Sequence, residues 1–319
     1  TPRPVAVLPT SSMGFIGILD LVERDRIPVF SWAVNTEFQK PGSMILGAQA
    51  PYDGLGIAMA LYFKEHIWNP DYPLYEDRPI KYAHCMWDVP SIKYGGSELA
   101  TRWLEAHGIE VVANIWIPMV PTDVTPQMLQ LKESGADIEA GYVYAPHMAA
   151  MLRDAAKIGL TNKDIQWTAF GACNMNLTME MVGPELCEGI LNHAGGMPME
   201  ECDVRWQEAF KATGLPAGAW DPYSLGLKGA GWVVEVLKET VKQYGAENVD
   251  GEALFETFRT MKPIIPPTME LPGFTGIQGK TLLCNPYAQL ETIQGGKRKL
   301  LDALHYTPQI WPGFPDAIE

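Results

Sequence analysis

Three adjacent hydroxyls, Thr10, Ser11 and Ser12, stand between an apolar run ending in Pro9 and a second apolar stretch that begins after Gly14 with helical spacing. Two chemistries suit that placement. Ser and Thr side chains cap the orphan amides of a helix start. The same hydroxyls, beside free amides at the positive end of a helix, form a cradle for an anion or a polar ligand. The residues alone leave both readings open. Four other segments place polar or aromatic residues after an apolar run, where a plain turn would suffice. They are "SWAVNTE" (31–37), "MWDVPSIKYGG" (86–96), "VYAPHM" (143–148) and "FGACNMN" (170–176).

Other chemistries lack their residue patterns. The cysteines, Cys85, Cys173, Cys187, Cys202 and Cys284, form no CxxC, and the histidines form no HxH or HExxH. A structural zinc site is therefore not expected, and no metal or cofactor is implied. Five thiols cannot all pair within one chain, and spacing leaves open any pairing among Cys173, Cys187 and Cys202. "SSMG" is not the GxSxG of a nucleophile elbow, and no histidine lies near it in sequence, so an enzyme is not expected. The 24 basic and 38 acidic residues give a net charge of −14. That charge disfavours nucleic acid, whose affinity rests on Lys and Arg neutralising phosphates, and it disfavours an anionic membrane surface. No apolar run of about 18 residues appears, so this segment is not expected to insert in a membrane. No signal peptide appears either, and the chain opens directly on a strand, "TPRPVAVLP".

These loops need elements to hold them. Apolar runs alternate with amphipathic segments: "PVAVLP", "IPVFSWA", "IKYAHCMWD", "IEVVANIWI", "IEAGYVYA" and "IQWTAFG" read as strands. Between and after them, "GFIGILDLVERDR", "GLGIAMALYFKEHIW", "GGSELATRWLEAHG", "TPQMLQLKESG", "PHMAAMLRDAAKIG", "VRWQEAFKATG", "SLGLKGAGWVVEVLKETVKQYG" and "GEALFETFRTM" read as helices. Strand–helix alternation predicts α/β architecture, with parallel sheets covered by helices on both faces. In such sheets ligands sit beyond the carboxyl ends of the strands, where the five polar loops fall. Near the C-terminus, "GFTGIQGKTLLCNPYAQLETIQGGKRKLL" alternates like antiparallel strands joined at Gly295-Gly296.

Taken in order, these segments resemble the type 1 periplasmic binding proteins of branched-chain amino acid ABC transporters, the leucine/isoleucine/valine-binding family. The resemblance rests on "PVAVLPTSSMGFIGILDLVERDRIPVFSWAVNTEF", "WDVPSIKYGGSELATRWLEAHGIEVV" and "PQMLQLKESGADIEAGYVYAPHMAAMLRDAAKIGL". It implies two Rossmann-like α/β lobes, hinged and closing around a solute. Lobe 1 is expected at 1–50 plus 274–319 and lobe 2 at 51–171 plus 172–273. Crossovers are expected near 48–54, 171–176 and 273–280. Members of the family carry further strand–helix units before the segment matching Thr1, so the resemblance implies that the N-terminal part of lobe 1 is lacking here.

The resemblance also implies a function and a site. The function is extracytoplasmic or periplasmic delivery of a small solute to ABC permease subunits, with an upstream lipid anchor compatible. A ligand sensor of the same fold is the alternative. Ser11 and Ser12 correspond to the turn that holds a ligand carboxylate, and Ala33 and Asn35 to the second loop. Tyr94 and Tyr144 match binding tyrosines, and Trp87 lies beside the same mouth. Ala172 or Cys173, with Asn174 adjacent, stands where amino-acid binders of the family place a carboxylate for the ligand ammonium. A buried ammonium without a partner is costly, so the expected solute lacks an α-ammonium or uses Asp88 or Asp53. An organic acid, an amide or an amino-acid-like solute fits.

Overall fold

The computed structural model describes residues 6–7, 17–31, 43–47, 52–89, 98–170, 173–193, 199, 204–261, 287–308, 310 and 316–318. The strands in chain order are β1 (Val29–Ser31), β2 (Ile45–Gly47), β3 (Ile80–Trp87), β4 (Ile109–Ile117), β5 (Ile138–Tyr142), β6 (Thr168–Ala169), β7 (Leu191–His193), β8 (Tyr287–Gln294) and β9 (Lys297–Tyr306). The α-helices are α1 (Leu19–Asp25), α2 (Tyr52–Tyr62), α3 (Glu98–Ala106), α4 (Thr125–Ser134), α5 (Ala145–Lys157), α6 (Met175–Val182), α7 (Pro184–Cys187), α8 (Val204–Ala212), α9 (Trp220–Tyr244) and α10 (Gly251–Thr260).

The chain divides into two compact units. The first comprises Thr1–Pro51, Gly196–Tyr287 and Gln309–Glu319, and the second Tyr52–Gly195 and Ala288–Pro308. This differs from the expected lobes in two places, for reasons visible in the packing. Helices α8 to α10 join the first unit, where Val236 of α9 and Leu254, Phe255 and Phe258 of α10 pack on Phe30, Met44 and Leu46 of the β1–β2 region. The hairpin residues 288–308 join the second unit, because β8 pairs antiparallel with β7. The expected crossover at 171–176 lies inside the second unit, since β7 extends its sheet past β6. The chain instead changes unit between Gly195 and Gly196, and it returns to the first unit after Pro308.

In the first unit β1 pairs parallel with β2, Val29 opposite Ile45, and Val7 bridges Val29 in parallel. Asp250 caps α10 by accepting from the Ala253 amide at 2.9 Å.

The second unit holds the sheet β4-β3-β5-β6-β7-β8-β9. Neighbours from β4 to β7 run parallel. Strand β3, "IKYAHCMW", is buried along almost its whole length, the pattern of a strand covered on both faces. One face meets α2. There the Tyr82 and Tyr142 hydroxyls approach Gly56 so closely that a Cβ would overlap the Tyr142 oxygen, and only glycine fits. On the other side, Ala83, Cys85, Ile115 and Ile117 share one core with Met128 and Leu131 of α4 and Met148 and Met151 of α5. A buried ion pair joins the two hairpin strands, and a side-chain bond from β7 ties them to the sheet. Arg298 Nε donates to Glu291 Oε1 and Oε2 at 2.7 and 2.9 Å, and Asn192 Nδ2 donates to Glu291 Oε1 at 2.6 Å. Cys85, Cys173 and Cys187 are free thiols buried in this unit, so no disulfide links Cys173 to Cys187. Cys202 lies outside the described residues.

Candidate functional site

Because β4, β3, β5 and β6 run parallel, the segments that follow them leave on one edge of the second unit's sheet. Trp87 is the last residue of β3. Tyr144 stands two residues past β5, extended at φ −87° and ψ 167°, and is the N-cap position of α5. Pro146 in the first turn suits the start of that helix. The Trp87 and Tyr144 rings meet edge to face, with centroids 4.8 Å apart and planes at 76°. This is a favoured aromatic geometry. Tyr144 keeps 36% of its surface exposed. Burial pushes its phenol up, so the hydroxyl stays protonated and able to donate.

A residue absent from the sequence expectations completes this cluster. His147, in the first turn of α5, is 5% exposed, with its ring 5.1 Å from Trp87 and 6.5 Å from Tyr144. Its Nε2 lies 3.2 Å from the carbonyl oxygen of Met119, in the segment between β4 and α4. A carbonyl only accepts, so Nε2 carries the proton. Burial lowers the pKa of the ring, partly offset by that bond. The i, i+3 spacing from Tyr144, which stacks residues on one helix face, was the available signal in "VYAPHM". The β4–α4 segment is held a second time, by Asp154 of α5, whose Oδ2 accepts from the Val124 amide at 2.9 Å. Burial pushes the Asp154 carboxyl up. Its bonds from Lys157, the Val124 amide and Arg153 outweigh that and hold it at about 2.

The two other described expectations sit differently. Cys173 is 2% exposed and belongs to the core; its Sγ lies 3.9 Å from Met175 Sδ and 3.7 Å from Thr178 Oγ1, and burial pushes its thiol up to about 12. Asn174 is the N-cap of α6, and its Oδ1 accepts from the Leu177 amide at 3.0 Å. The structure thus brings Trp87 and Tyr144 together and gives Cys173 and Asn174 packing and capping roles. Ser11, Ser12, Ala33, Asn35 and Tyr94 lie outside the described residues.

The edge therefore offers an aromatic wall with one phenolic hydroxyl, and beside it the exposed side chains of Met119 and Val120. Such a surface suits an amphipathic solute: apolar contact over most of its area and few polar handles. Among the described residues, no group of three or more His, Cys, Asp or Glu side chains is arranged to hold a metal ion. No described helix is long and apolar enough to cross a membrane.

A family model described as periplasmic binding protein matches residues 5–282. Similar solved structures include a branched-chain amino acid ABC transporter protein from Thermus thermophilus with bound valine: 16% identity, 95% of this chain and 78% of that one, TM-score 0.74. An ABC transporter substrate-binding protein from Aeropyrum pernix matches at 14% identity over 95% and 77%, TM-score 0.68. A fatty acid ABC transporter substrate-binding protein from Thermomonospora curvata matches at 17% identity over 95% and 74%, TM-score 0.66. The search of curated proteins finds no match.

Proposed function

The chain belongs to the periplasmic binding protein family, and from that premise we propose that it binds a small polar or amphipathic solute outside the cytoplasm and hands it to the permease of an ABC importer. The observation that carries this reading is the aromatic wall of Trp87 and Tyr144, built from the ends of adjacent parallel strands where such folds take ligands. The similar structures name valine and fatty acid as their solutes' classes, so an acid with an apolar body is a fitting solute here. Tyr144 and Trp87 supply apolar contact and a phenolic hydroxyl. The family resemblance makes Ser11, Ser12, Ala33, Asn35 and Tyr94 further candidates, and they lie outside the described residues. Asn174 orders the start of α6 nearby, and Cys173 supports it from the core.

Thermal-shift screening of the purified protein against small acids, amides and amino acids tests the reading. A solute at about 100 times its dissociation constant adds about 2.7 kcal/mol to stability, which raises Tm by several degrees. Native mass spectrometry of the same preparation should show a retained small molecule. No shift with any member and no retained molecule would contradict solute binding.

A further inference from the structure

His147 joins three loops at once. Its backbone belongs to the first turn of α5, after β5; its Nε2–H reaches the Met119 carbonyl, after β4; and its ring lies against Trp87, at the end of β3. These are three neighbouring strands, in the order β4-β3-β5. We infer that His147 is a positioning residue that locks Trp87 and Tyr144 into a rigid cross of two rings, so that the wall selects solutes with a flat, unsaturated face over puckered aliphatic ones.

The inference rests on the solute-binding reading and deepens it. The described rings meet at 76° and 4.8 Å, and only the outer one, Tyr144, is substantially exposed. A puckered ring touches such a surface at few atoms, whereas a planar one lies along the exposed ring or meets it edge to face. That discrimination needs a Tyr144 ring that does not turn away. Trp87 lies against it at 4.8 Å, and His147, 95% of whose surface is covered, lies 5.1 Å from Trp87 and 6.5 Å from Tyr144. Among the described residues the His147 side chain makes one hydrogen bond, to Met119, and its Nδ1 is buried without a hydrogen-bond partner. A side chain held by a single directional bond at the meeting point of three loops sets their spacing through that bond. The second tie between the β4–α4 segment and α5, at Val124 and Asp154, keeps the segment in place when the first is cut. Removal of the His147 bond is therefore expected to loosen the wall without unfolding the unit.

Benzoate and cyclohexanecarboxylate share a carboxylate and a six-carbon ring and differ in flatness. Their affinities are measured by calorimetry for the unaltered protein, for His147→Leu, which fills the space without a donor, and for His147→Gln, which keeps an N–H able to reach Met119. The unaltered protein should prefer benzoate by about fivefold, as expected of an aromatic pair. His147→Leu, folded by circular dichroism, should bind benzoate about tenfold more weakly and lose the preference. His147→Gln should keep the preference within about twofold. Equal affinity of the unaltered protein for the two acids overturns the inference. So does a folded His147→Leu protein with the preference intact, or a folded His147→Gln protein without it. If His147→Leu fails to fold, the unaltered protein and His147→Gln still decide. Binding of leucine but of neither acid refutes the flat-face wall and leaves solute binding standing; no binding of any of the three, nor of any solute in the thermal-shift panel, refutes both.

Discussion

His84 lies in the middle of β3, the strand that ends in Trp87, and it is fully buried. Its ring stands 4.7 Å from Tyr82 and 5.9 Å from Tyr142, and both of its nitrogens are buried without a hydrogen-bond partner. Charging it there means placing an imidazolium among aromatic rings, so burial lowers its pKa from 6.5 to about 3. The folded value lies below the unfolded one. The contribution to stability is therefore fully present above pH 6.5 and is lost as pH falls towards 3. One proton per molecule gives a slope of about 1.4 kcal/mol per pH unit. Between pH 6.5 and pH 5 the loss is then about 2 kcal/mol, a large share of a typical total of about 5–15 kcal/mol. His84→Phe keeps an aromatic ring in the site and removes the proton acceptors. Urea denaturation at pH 7 and pH 5, for the unaltered and substituted proteins, reads the difference. His84→Phe should lose about 2 kcal/mol less than the parent on acidification. Equal acid sensitivity of the two proteins would refute the argument that a neutral, unpaired His84 underlies this strand.

Glu139 carries the opposite sign: burial raises its carboxyl well above the ordinary range, against the pull of the Thr168 amide, which donates to Oε1 at 3.2 Å. Its stability contribution is present at low pH and lost as pH rises through the folded value, so Glu139→Gln should flatten the loss of stability that urea denaturation reads as pH rises above the ordinary carboxylate range. Arg298→Met removes the charge partner of the buried Glu291 carboxylate and should cost about 3–5 kcal/mol, while the double change Arg298→Met with Glu291→Gln should recover part of that loss in the same assay. Asn174→Ala removes the cap of α6 and should lower stability by about 1 kcal/mol, with Asn174→Ser close to the parent.

Much of the scaffold was legible because the elements that matter are long and strongly patterned. "IEVVANIWI" runs from the residue after Gly108 to Ile117 and forms β4 over that whole range. Gly295-Gly296, both at positive φ, turns the predicted C-terminal hairpin. "IQWTAFG" shrinks to the two residues of β6, and β7, only three residues long, went unread. Strands that short are defined by their neighbours in the sheet and carry no periodicity of their own. The division into units depends on packing between distant segments: nothing local in "GEALFETF" says that Phe255 and Phe258 meet Phe30. The family resemblance is what singled out Tyr144, with Trp87 beside the same mouth, and the structure places their rings in contact. His147 was not singled out, since its partners are a ring 60 residues away in the chain and a backbone carbonyl that any residue could supply. Cys173 was a candidate through the family resemblance alone, and its side chain turns into the core.

The most direct test of solute binding at this edge is hydrogen exchange of the full chain with and without the best stabilising solute from the thermal-shift panel. Slowed exchange is expected in the segments around Asp88 and Val89, Met119 and Val120, and Tyr144 to Met148, with the opposite edge of the same sheet, around Arg78 and Asp137, unchanged. Protection that avoids the first three segments, or that appears equally at both edges, would contradict solute binding there.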